Sequence, residues 1–181
     1  RGMSSAASDV YKRQNQRNDK YAGSIEKRCE FAAEIIRLIR LELGSDYPII
    51  LRWSQWKMQN YEAKLAHNPK ELEAFLTPLV TAGIDIFHCS QRRFWEPEFE
   101  KSHLNLAGWV KKISSKPTIT VGSIGLDADF ISNPDQRGFS EAEPASLNEL
   151  LTRLDNDEFD LIAVGRALIS NPNWVKHILN N

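Results

Sequence analysis

Four short apolar runs constrain the fold of this chain more than any other feature of its sequence. They are PIILRW at 48–53, IDIFHC at 84–89, PTITV at 117–121 and DLIAV at 160–164. Each run is rich in β-branched residues and nearly continuous rather than alternating, which is typical of strands buried on both faces of a parallel sheet. The sequence therefore predicts four parallel strands that are covered by helices.

Helical patterns precede the first run and follow every run. Their apolar faces are marked by Phe31, Ile35, Leu38 and Ile39, by Leu72, Phe75 and Leu76, by Leu106, Trp109 and Val110, by Leu147, Leu150 and Leu154, and by Trp174, Val175 and Ile178. The strand starts recur about every 35 to 45 residues, the scale of a βα unit. Two α/β architectures fit this order: a doubly wound sheet, and about four βα units of a (β/α)8 TIM barrel.

The composition argues against several classes of function. The 181 residues carry a formal net charge of −1, with charged residues scattered along the chain, so we expect neither a nucleic-acid nor a membrane-surface partner. No apolar run approaches the roughly 20 residues of a membrane helix. The histidines and the two cysteines, Cys29 and Cys89, show no metal-binding spacing. We therefore expect no metal site, and two reduced thiols in a cytoplasmic protein.

The segment RGMSSAASDVYKRQ at 1–14 differs from the rest of the chain. It has neither apolar periodicity nor the features of a signal peptide, and it resembles a translated sequencing-adapter scar. We interpret 1–14 as a non-native leader and 15–181 as the folded part. We also expect that the N-terminal half of the parent protein is missing.

Residues at the ends of the last two runs predict a phosphate site. Ligands in either architecture bind at the carboxyl ends of the strands. Gly122 and Ser123 follow the third run, and Gly165 and Arg166 follow the fourth. Glycine lets a phosphate approach backbone N–H groups, and a guanidinium can hold a phosphate through two hydrogen bonds. The alternative is that both glycines only allow tight turns and that Arg166 pairs with a carboxylate.

Arg52 is unusual because it lies inside the first apolar run. A charge in a strand is costly unless it is paired. Two explanations stay open at this point: a buried salt bridge, and a cation that faces an electron-rich ring or an oxyanion.

The loop at 90–103 carries Phe94 and Trp95 among several charged residues. Loops that follow strands often cover an active site, so we interpret these two aromatic residues as a candidate substrate lid. The alternative is an ordinary solvated loop with two packed aromatic side chains.

The strand ends together with their flanking segments resemble a known family. The segments NDKYAGSIEKRCEFAAEIIRLIR, LRWS, TVGSIGL and AVGRALISNPNWVKHI resemble the C-terminal half of the old yellow enzyme family, and HCSQRRFWEPEFE is most similar to its oxophytodienoate-reductase-like bacterial members. The resemblance covers 15 to about 178. It implies the C-terminal half of an FMN-binding (β/α)8 barrel, with the two glycine-bearing ends on its last two strands.

The resemblance also implies roles for individual residues. The family's arginine that contacts the flavin near N1 and the C2 carbonyl falls on Arg52. Its backbone contacts to the FMN phosphate fall on Gly122 and Ser123, and its phosphate-proximal glycine and arginine fall on Gly165 and Arg166. One departure is Ala22 in DKYAGS, where the family usually has glycine; a positive φ at that position would strain the loop.

For the complete protein the resemblance implies an FMN-dependent oxidoreductase. NADH or NADPH would donate the hydride, and the activated C=C bond of an α,β-unsaturated carbonyl-type substrate would receive it. The family's His/Asn or His/His pair and its tyrosine lie upstream of the matched region, so no catalytic residue is assigned. We therefore expect the isolated chain to be inactive and to self-associate as a homo-oligomer through its open sheet.

Two other functions stay open. One is a half-barrel that binds a phosphate-bearing ligand or a partner half without catalysis. The other is a barrel enzyme that acts on a sugar phosphate, which would explain the two glycine-bearing ends and leave Arg52 unexplained.

Overall fold

The computed structural model describes residues 15–57, 61–126 and 147–179. The interpretation of 1–14 as a leader lies outside the described residues. Helices and strands follow one another in the order α1 (Ile25–Leu43), β1 (Ile50–Trp53), α2 (Pro69–Thr81), β2 (Ile86–Cys89), α3 (Leu106–Ser114), β3 (Thr118–Thr120), α4 (Asn148–Asp155), β4 (Leu161–Ile162), α5 (Arg166–Ser170) and α6 (Trp174–Leu179). All four predicted strands are present, each somewhat shorter than its apolar run.

The order of the strands decides between the two predicted architectures. The sheet is parallel throughout and runs β1-β2-β3-β4, so each strand pairs with the next one along the chain. A doubly wound sheet needs a point at which the strand order reverses. Right-handed connections between consecutive neighbours instead place all connecting helices on one face, as in a barrel. The prediction of a partial (β/α)8 barrel is confirmed.

The two faces of the sheet differ in burial, which corrects one sequence prediction. On the helix-covered face, Phe87, Cys89, Thr118 and Thr120 are fully buried. On the opposite face, the inner face, the strand residues are half-buried or exposed in this chain, and Leu161 at the edge is 50 % exposed. The expectation of strands buried on both faces is therefore wrong, because the helices cover only one of them.

The helix starts follow the capping residues in the sequence. The Ser24 side chain accepts a hydrogen bond from the backbone N–H of Lys27 and begins α1, and Asn68 does the same with Glu71 at the start of α2. Such caps satisfy backbone donors that a helix leaves without intrahelical partners.

The turn before α1 accommodates Ala22, the alanine at a position where glycine is usual in the resembled family. The positive φ of this turn falls on Gly23, at +93°, and not on Ala22. Ala22 instead donates its backbone N–H to the Asp19 carbonyl at 3.0 Å. The residue therefore adopts a backbone conformation that alanine tolerates, and the loop carries no strain at that position.

Candidate functional site

The carboxyl ends of the four strands carry the residues that the sequence singled out for ligand binding. Parallel strands in register present these ends along one edge of the sheet. The residues are Arg52 in β1, Gly122 and Ser123 after β3, and Gly165 and Arg166 after β4. The end of β2 adds Ser90, for which the sequence predicted no role.

The Arg52 guanidinium lies on the inner face and is exposed. Its Nη2 donates a hydrogen bond to the Ser90 hydroxyl at 3.3 Å. Among the carboxylates of residues 15–57, 61–126 and 147–179, none forms an ion pair with it. The explanation of Arg52 as half of a buried salt bridge therefore fails for this part of the chain, and a cation open to a ligand remains.

His88 lies beside Arg52 on the same face, since the two residues are paired in register across β1 and β2. Its Nε2 is buried, and no described group hydrogen bonds to it. Burial and the neighbouring Arg52 charge both lower the pKa of the imidazole. The inner face therefore combines a permanent cation with a neutral imidazole whose Nε2 has no described hydrogen-bond partner.

Gly122 has a structural role that its sequence context did not reveal. Its φ is +129°, and an added Cβ would lie 2.8 Å from the Gln91 carbonyl oxygen and 2.9 Å from the Arg92 carbonyl group. The loop after β2 thus passes too close for any side chain at this position. The tight-turn alternative therefore accounts for Gly122 as a glycine, and its contact with a phosphate remains a prediction.

Ser123 connects the ends of β3 and β4. Its hydroxyl donates to the Arg92 carbonyl at 3.1 Å and accepts a hydrogen bond from Arg166 Nη2 at 3.3 Å. The structure thereby joins two of the residues predicted to hold phosphate, a hydroxyl and a guanidinium. Because the single hydroxyl proton of Ser123 is donated to Arg92, the guanidinium of Arg166 is the side-chain donor of this pair that suits an anion.

Gly165 differs from Gly122 in the space around it. An added Cβ at Gly165 would meet no atom within 4 Å. Gly165 also caps α5, and the backbone N–H groups of Leu168 and Ile169 both donate to its carbonyl. The open space leaves the backbone beside Arg166 accessible to a ligand.

The two residues of the candidate lid differ in burial. Phe94 is 4 % exposed and belongs to the hydrophobic core, whereas Trp95 is half-buried and packs against it edge to face at a ring separation of 5.1 Å. The Phe94 carbonyl accepts hydrogen bonds from Asn105 at 2.8 Å and from Arg153 at 2.6 Å. Phe94 therefore matches the alternative of a packed aromatic side chain, and the lid role of the pair remains a prediction.

A cavity of about 270 Å³ lies between the loops that follow β1 and β2, and no sequence pattern indicated it. Its lining is mostly polar and includes Gln55, Tyr61, Lys64, Arg92 and Glu98. The Arg92 guanidinium lies over the Tyr61 ring at 4.0 Å from its centroid. Ser90 also lines the cavity, so the cavity adjoins the serine that accepts from Arg52.

Polar side chains fix the wall of this cavity. The Gln55 side chain accepts from the backbone N–H groups of Leu65 and Ala66 and donates to Glu98 at 3.0 Å. Lys64 lies 3.0 Å from the same carboxylate. Burial is the main cause that raises the pKa of Glu98, and the Lys64 charge partly opposes it.

Two negative findings concern the described part of the chain. Across 15–57, 61–126 and 147–179, no group of three or more His, Cys, Asp or Glu residues is arranged to hold a metal ion. Over the same residues, the helices are too short or too polar to span a membrane.

Comparisons with known proteins assign a family to this arrangement. The sequence model of the NADH:flavin oxidoreductase / NADH oxidase family matches residues 10–137. An NADH oxidase of Thermoanaerobacter brockii is 32 % identical over 172 residues, which are 91 % of this chain and 23 % of that protein. A cinnamate reductase of Clostridium sporogenes is 32 % identical over 176 residues, 87 % of this chain and 23 % of that protein. The chain thus spans about a quarter of the length of these relatives.

A solved structure agrees with the fold. A 2-naphthoyl-CoA reductase in complex with 2-naphthoyl-CoA superposes with a TM-score of 0.65 at 19 % identity, over 96 % of this chain and 24 % of that one. At this identity the likeness concerns the fold, and it agrees with the partial barrel derived from the strand order.

Proposed function

The chain belongs to the NADH:flavin oxidoreductase / NADH oxidase family, which confirms its resemblance to the old yellow enzymes, and on this premise we propose that it holds FMN in an NAD(P)H-dependent ene-reductase. The substrate class of the whole protein would be activated alkenes, in particular α,β-unsaturated carbonyl compounds. A relative named cinnamate reductase supports this class. The family assignment also disfavours the sugar-phosphate alternative.

The observation that carries the proposal is the exposed Arg52 on the inner face. A guanidinium that has one serine hydroxyl and no described carboxylate as partner is available to an anionic or electron-rich group. A sugar-phosphate site at the ends of β3 and β4 would give Arg52, which lies in β1, no role.

The residues present fit FMN at two separate places. Arg166 offers a guanidinium that the Ser123 hydroxyl oxygen orients, and the backbone beside Gly165 is open, which suits a phosphate. The exposed Arg52, with the neutral His88 beside it, suits the polar edge of a flavin ring. Because β1 and β4 are three strand spacings apart, the two places are separated by roughly 14 Å along the sheet.

Each residue would act electrostatically or by positioning. A bound FMN supplies hydride transfer between the nicotinamide and the alkene. Arg52 would favour negative charge on the ring, and Ser90 would orient the guanidinium through its hydroxyl. The Arg166 guanidinium and the backbone N–H of Ser123 would bind the phosphate dianion. None of the described residues is assigned the task of holding the substrate carbonyl or of donating the proton. We therefore expect the 181-residue chain to bind flavin without reducing an alkene.

Arg52→Gln and Arg166→Gln separate the two ends of the site. Arg52→Gln removes a charge at the ring, so it should weaken binding of both FMN and riboflavin by roughly 10- to 150-fold, since a hydrogen bond to a charged group contributes roughly 1.5–3 kcal/mol. Arg166→Gln should weaken FMN alone, because riboflavin lacks the phosphate. Quenching of flavin fluorescence gives both dissociation constants.

The control is Arg37→Gln, which removes an exposed guanidinium that is ion-paired to Glu30 on α1. This variant should bind both flavins as the unmodified chain does. Unchanged affinities in Arg52→Gln would refute the role of Arg52. Turnover of 2-cyclohexenone with NADH or NADPH by the chain alone would contradict the expectation that it binds flavin without catalysis.

A further inference from the structure

We propose that Arg153 of α4 is a positioning residue for the phosphate end of the site, where it fixes the loop after β2 against the Gly122-Ser123 turn. The inference rests on the proposed function, because it concerns how the phosphate-binding residues are held. Nothing in the sequence distinguished Arg153 from the other arginines of the helices.

The guanidinium of Arg153 connects the two ends of one loop. It is buried, with 7 % of the residue exposed. Its Nη1 donates to the Phe94 carbonyl at 2.6 Å, and its Nη2 donates to the His103 carbonyl. The two acceptors lie nine residues apart in the sequence. A planar fork of donors can reach both at once, whereas a lysine ammonium is a single point.

The same loop is bonded on its other side to the turn after β3. The Phe94 backbone N–H donates to the Gly122 carbonyl at 3.2 Å, and the Ser123 hydroxyl donates to the Arg92 carbonyl at 3.1 Å. The close approach of Gln91 leaves no room for a Cβ at Gly122. Phe94 therefore joins Arg153, through its carbonyl, to Gly122, through its N–H.

Through hydrogen bonds of Ser123, the turn after β3 links the position of the loop to Arg166, which is predicted to bind phosphate. The Ser123 hydroxyl accepts the hydrogen bond from Arg166 at 3.3 Å while it donates to the loop. If the loop shifts, Ser123 loses the acceptor that orients its hydroxyl, and Arg166 loses the oriented oxygen. The hydrogen bonds thus form one continuous path from α4 to the residues expected to contact phosphate.

The buried ion pair of Arg153 with Glu158 does not by itself explain the position of Arg153, and its second ion pair, with the exposed Glu149, is longer at 3.8 Å. Glu158 is also buried, and its Oε2 lies 3.2 Å from Arg153 Nε without being aligned for a hydrogen bond. Burying two charges costs several kcal/mol per ion, and replacing such a pair with apolar residues is often neutral or stabilising. The contacts with the two carbonyls are the feature that an apolar pair would not supply.

The experiment compares FMN with riboflavin in chains that carry Arg153→Lys, the double substitution Arg153→Met with Glu158→Met, or the control Arg37→Lys. Arg153→Lys retains the charge and loses the fork. The double substitution removes both charges together, so it leaves no unpaired buried charge and keeps the test available if the lysine variant does not fold. Arg37→Lys makes the same change at an exposed ion pair.

The unmodified chain should bind FMN more tightly than riboflavin, because only FMN reaches Ser123 and Arg166. In both Arg153 variants this preference should fall about tenfold through weaker FMN binding, the effect expected for a lost hydrogen bond to a charged group, while riboflavin binding stays the same. In the absence of flavin, amide hydrogen exchange at Phe94 should also be faster in the Arg153 variants than in the unmodified chain. The control should match the unmodified chain in all three measurements.

The outcomes separate the two claims. If the unmodified chain binds both flavins equally, the proposed phosphate site is wrong and the inference falls with it. If it prefers FMN and the Arg153 variants keep that preference, the inference alone is overturned. Equal weakening of both flavins in the variants would show a general loss of structure rather than positioning, and it also overturns the inference.

Discussion

The substitution Gly122→Ala measures how closely the loop after β2 approaches the end of β3. The residue has a φ of +129°, a conformation that costs an L-residue about 1–3 kcal/mol. The new Cβ would also lie 2.8 Å from the Gln91 carbonyl oxygen and 2.9 Å from the Arg92 carbonyl group. These are backbone atoms, so overpacking adds about 1–3 kcal/mol more. We expect a total loss of about 4 kcal/mol in the free energy of unfolding.

Gly44→Ala is the matched control. Gly44 has a φ of +80°, but an added Cβ there meets nothing within 4 Å. This variant should show the conformational cost alone, about 2 kcal/mol. Because 1 kcal/mol shifts Tm by about 2–4 °C in a chain of this size, Gly122→Ala should lower Tm by about 8–16 °C and Gly44→Ala by about 4–8 °C.

Urea unfolding and thermal unfolding followed by circular dichroism provide these values. The difference between the two variants reports the steric contact between the loop and the strand end. Equal losses in the two variants would refute the contact, and with it the steric requirement for a glycine at 122. A small loss in both would show that neither backbone is constrained as described.

Three further predictions concern pH and association. Because the pKa of His88 is lowered by burial and by Arg52, the unfolded state binds more protons, so His88 contributes stability that is present above about pH 6.5 and lost as the pH falls through the folded pKa. His88→Phe should flatten this part of the stability profile, and Arg52→Met should raise the pKa of His88 measured by NMR; an unchanged pKa would contradict their proximity. Burial raises the pKa of Glu98, so its contribution is present below about pH 4.3 and is lost as the pH rises through the raised folded pKa. Glu98→Gln should remove this loss in urea unfolding across the same pH range, and an identical slope in both proteins would argue against burial as the cause. The half-exposed Ile50 and Leu161 on the edge strands should make the chain self-associate, and Ile50→Lys with Leu161→Lys should weaken the association. Analytical ultracentrifugation tests this, and a monomer at micromolar concentration would contradict it.

The strands were predictable because they depend on local patterns, whereas those patterns left two sheet architectures open, and the order of the strands in the sheet decided between them. β-branched runs such as the one around Ile119, with helical periodicity between them, indicate a parallel sheet without knowledge of any contact. The openness of the inner face was not predictable in the same way. The apolar run around Leu161 looks the same whether a second layer covers it or not, since burial depends on what packs opposite.

The sequence predicted which residues form the candidate site, but it did not predict why each of those residue types is required at its position. The positions of Arg52, Ser123 and Arg166 at strand ends follow from the strand boundaries. Gly122 was interpreted from phosphate chemistry, with a tight turn as the alternative, and its conformation and the nearby Gln91 carbonyl require glycine on their own. That requirement arises from a contact between separate loops, which no local pattern reveals.

Arg153 shows the same limit more clearly. On a helical projection it looks like one more charged residue of an amphipathic helix. Its burial and its two carbonyl acceptors depend on the path of a loop about 50 residues earlier in the chain. Only the folded structure reveals such a contact.

Adding FMN to the 15N-labelled chain and recording amide and guanidinium NMR shifts tests most directly whether these strand ends hold the flavin. We predict the largest shifts at two separate places. One is Arg52 with its neighbours on β1 and β2, and the other is the backbone of Gly122, Ser123, Gly165 and Arg166; riboflavin should shift only the first. Shifts confined to the cavity around Tyr61 and Lys64, or no shift at all at saturating FMN, would contradict flavin binding at the strand ends.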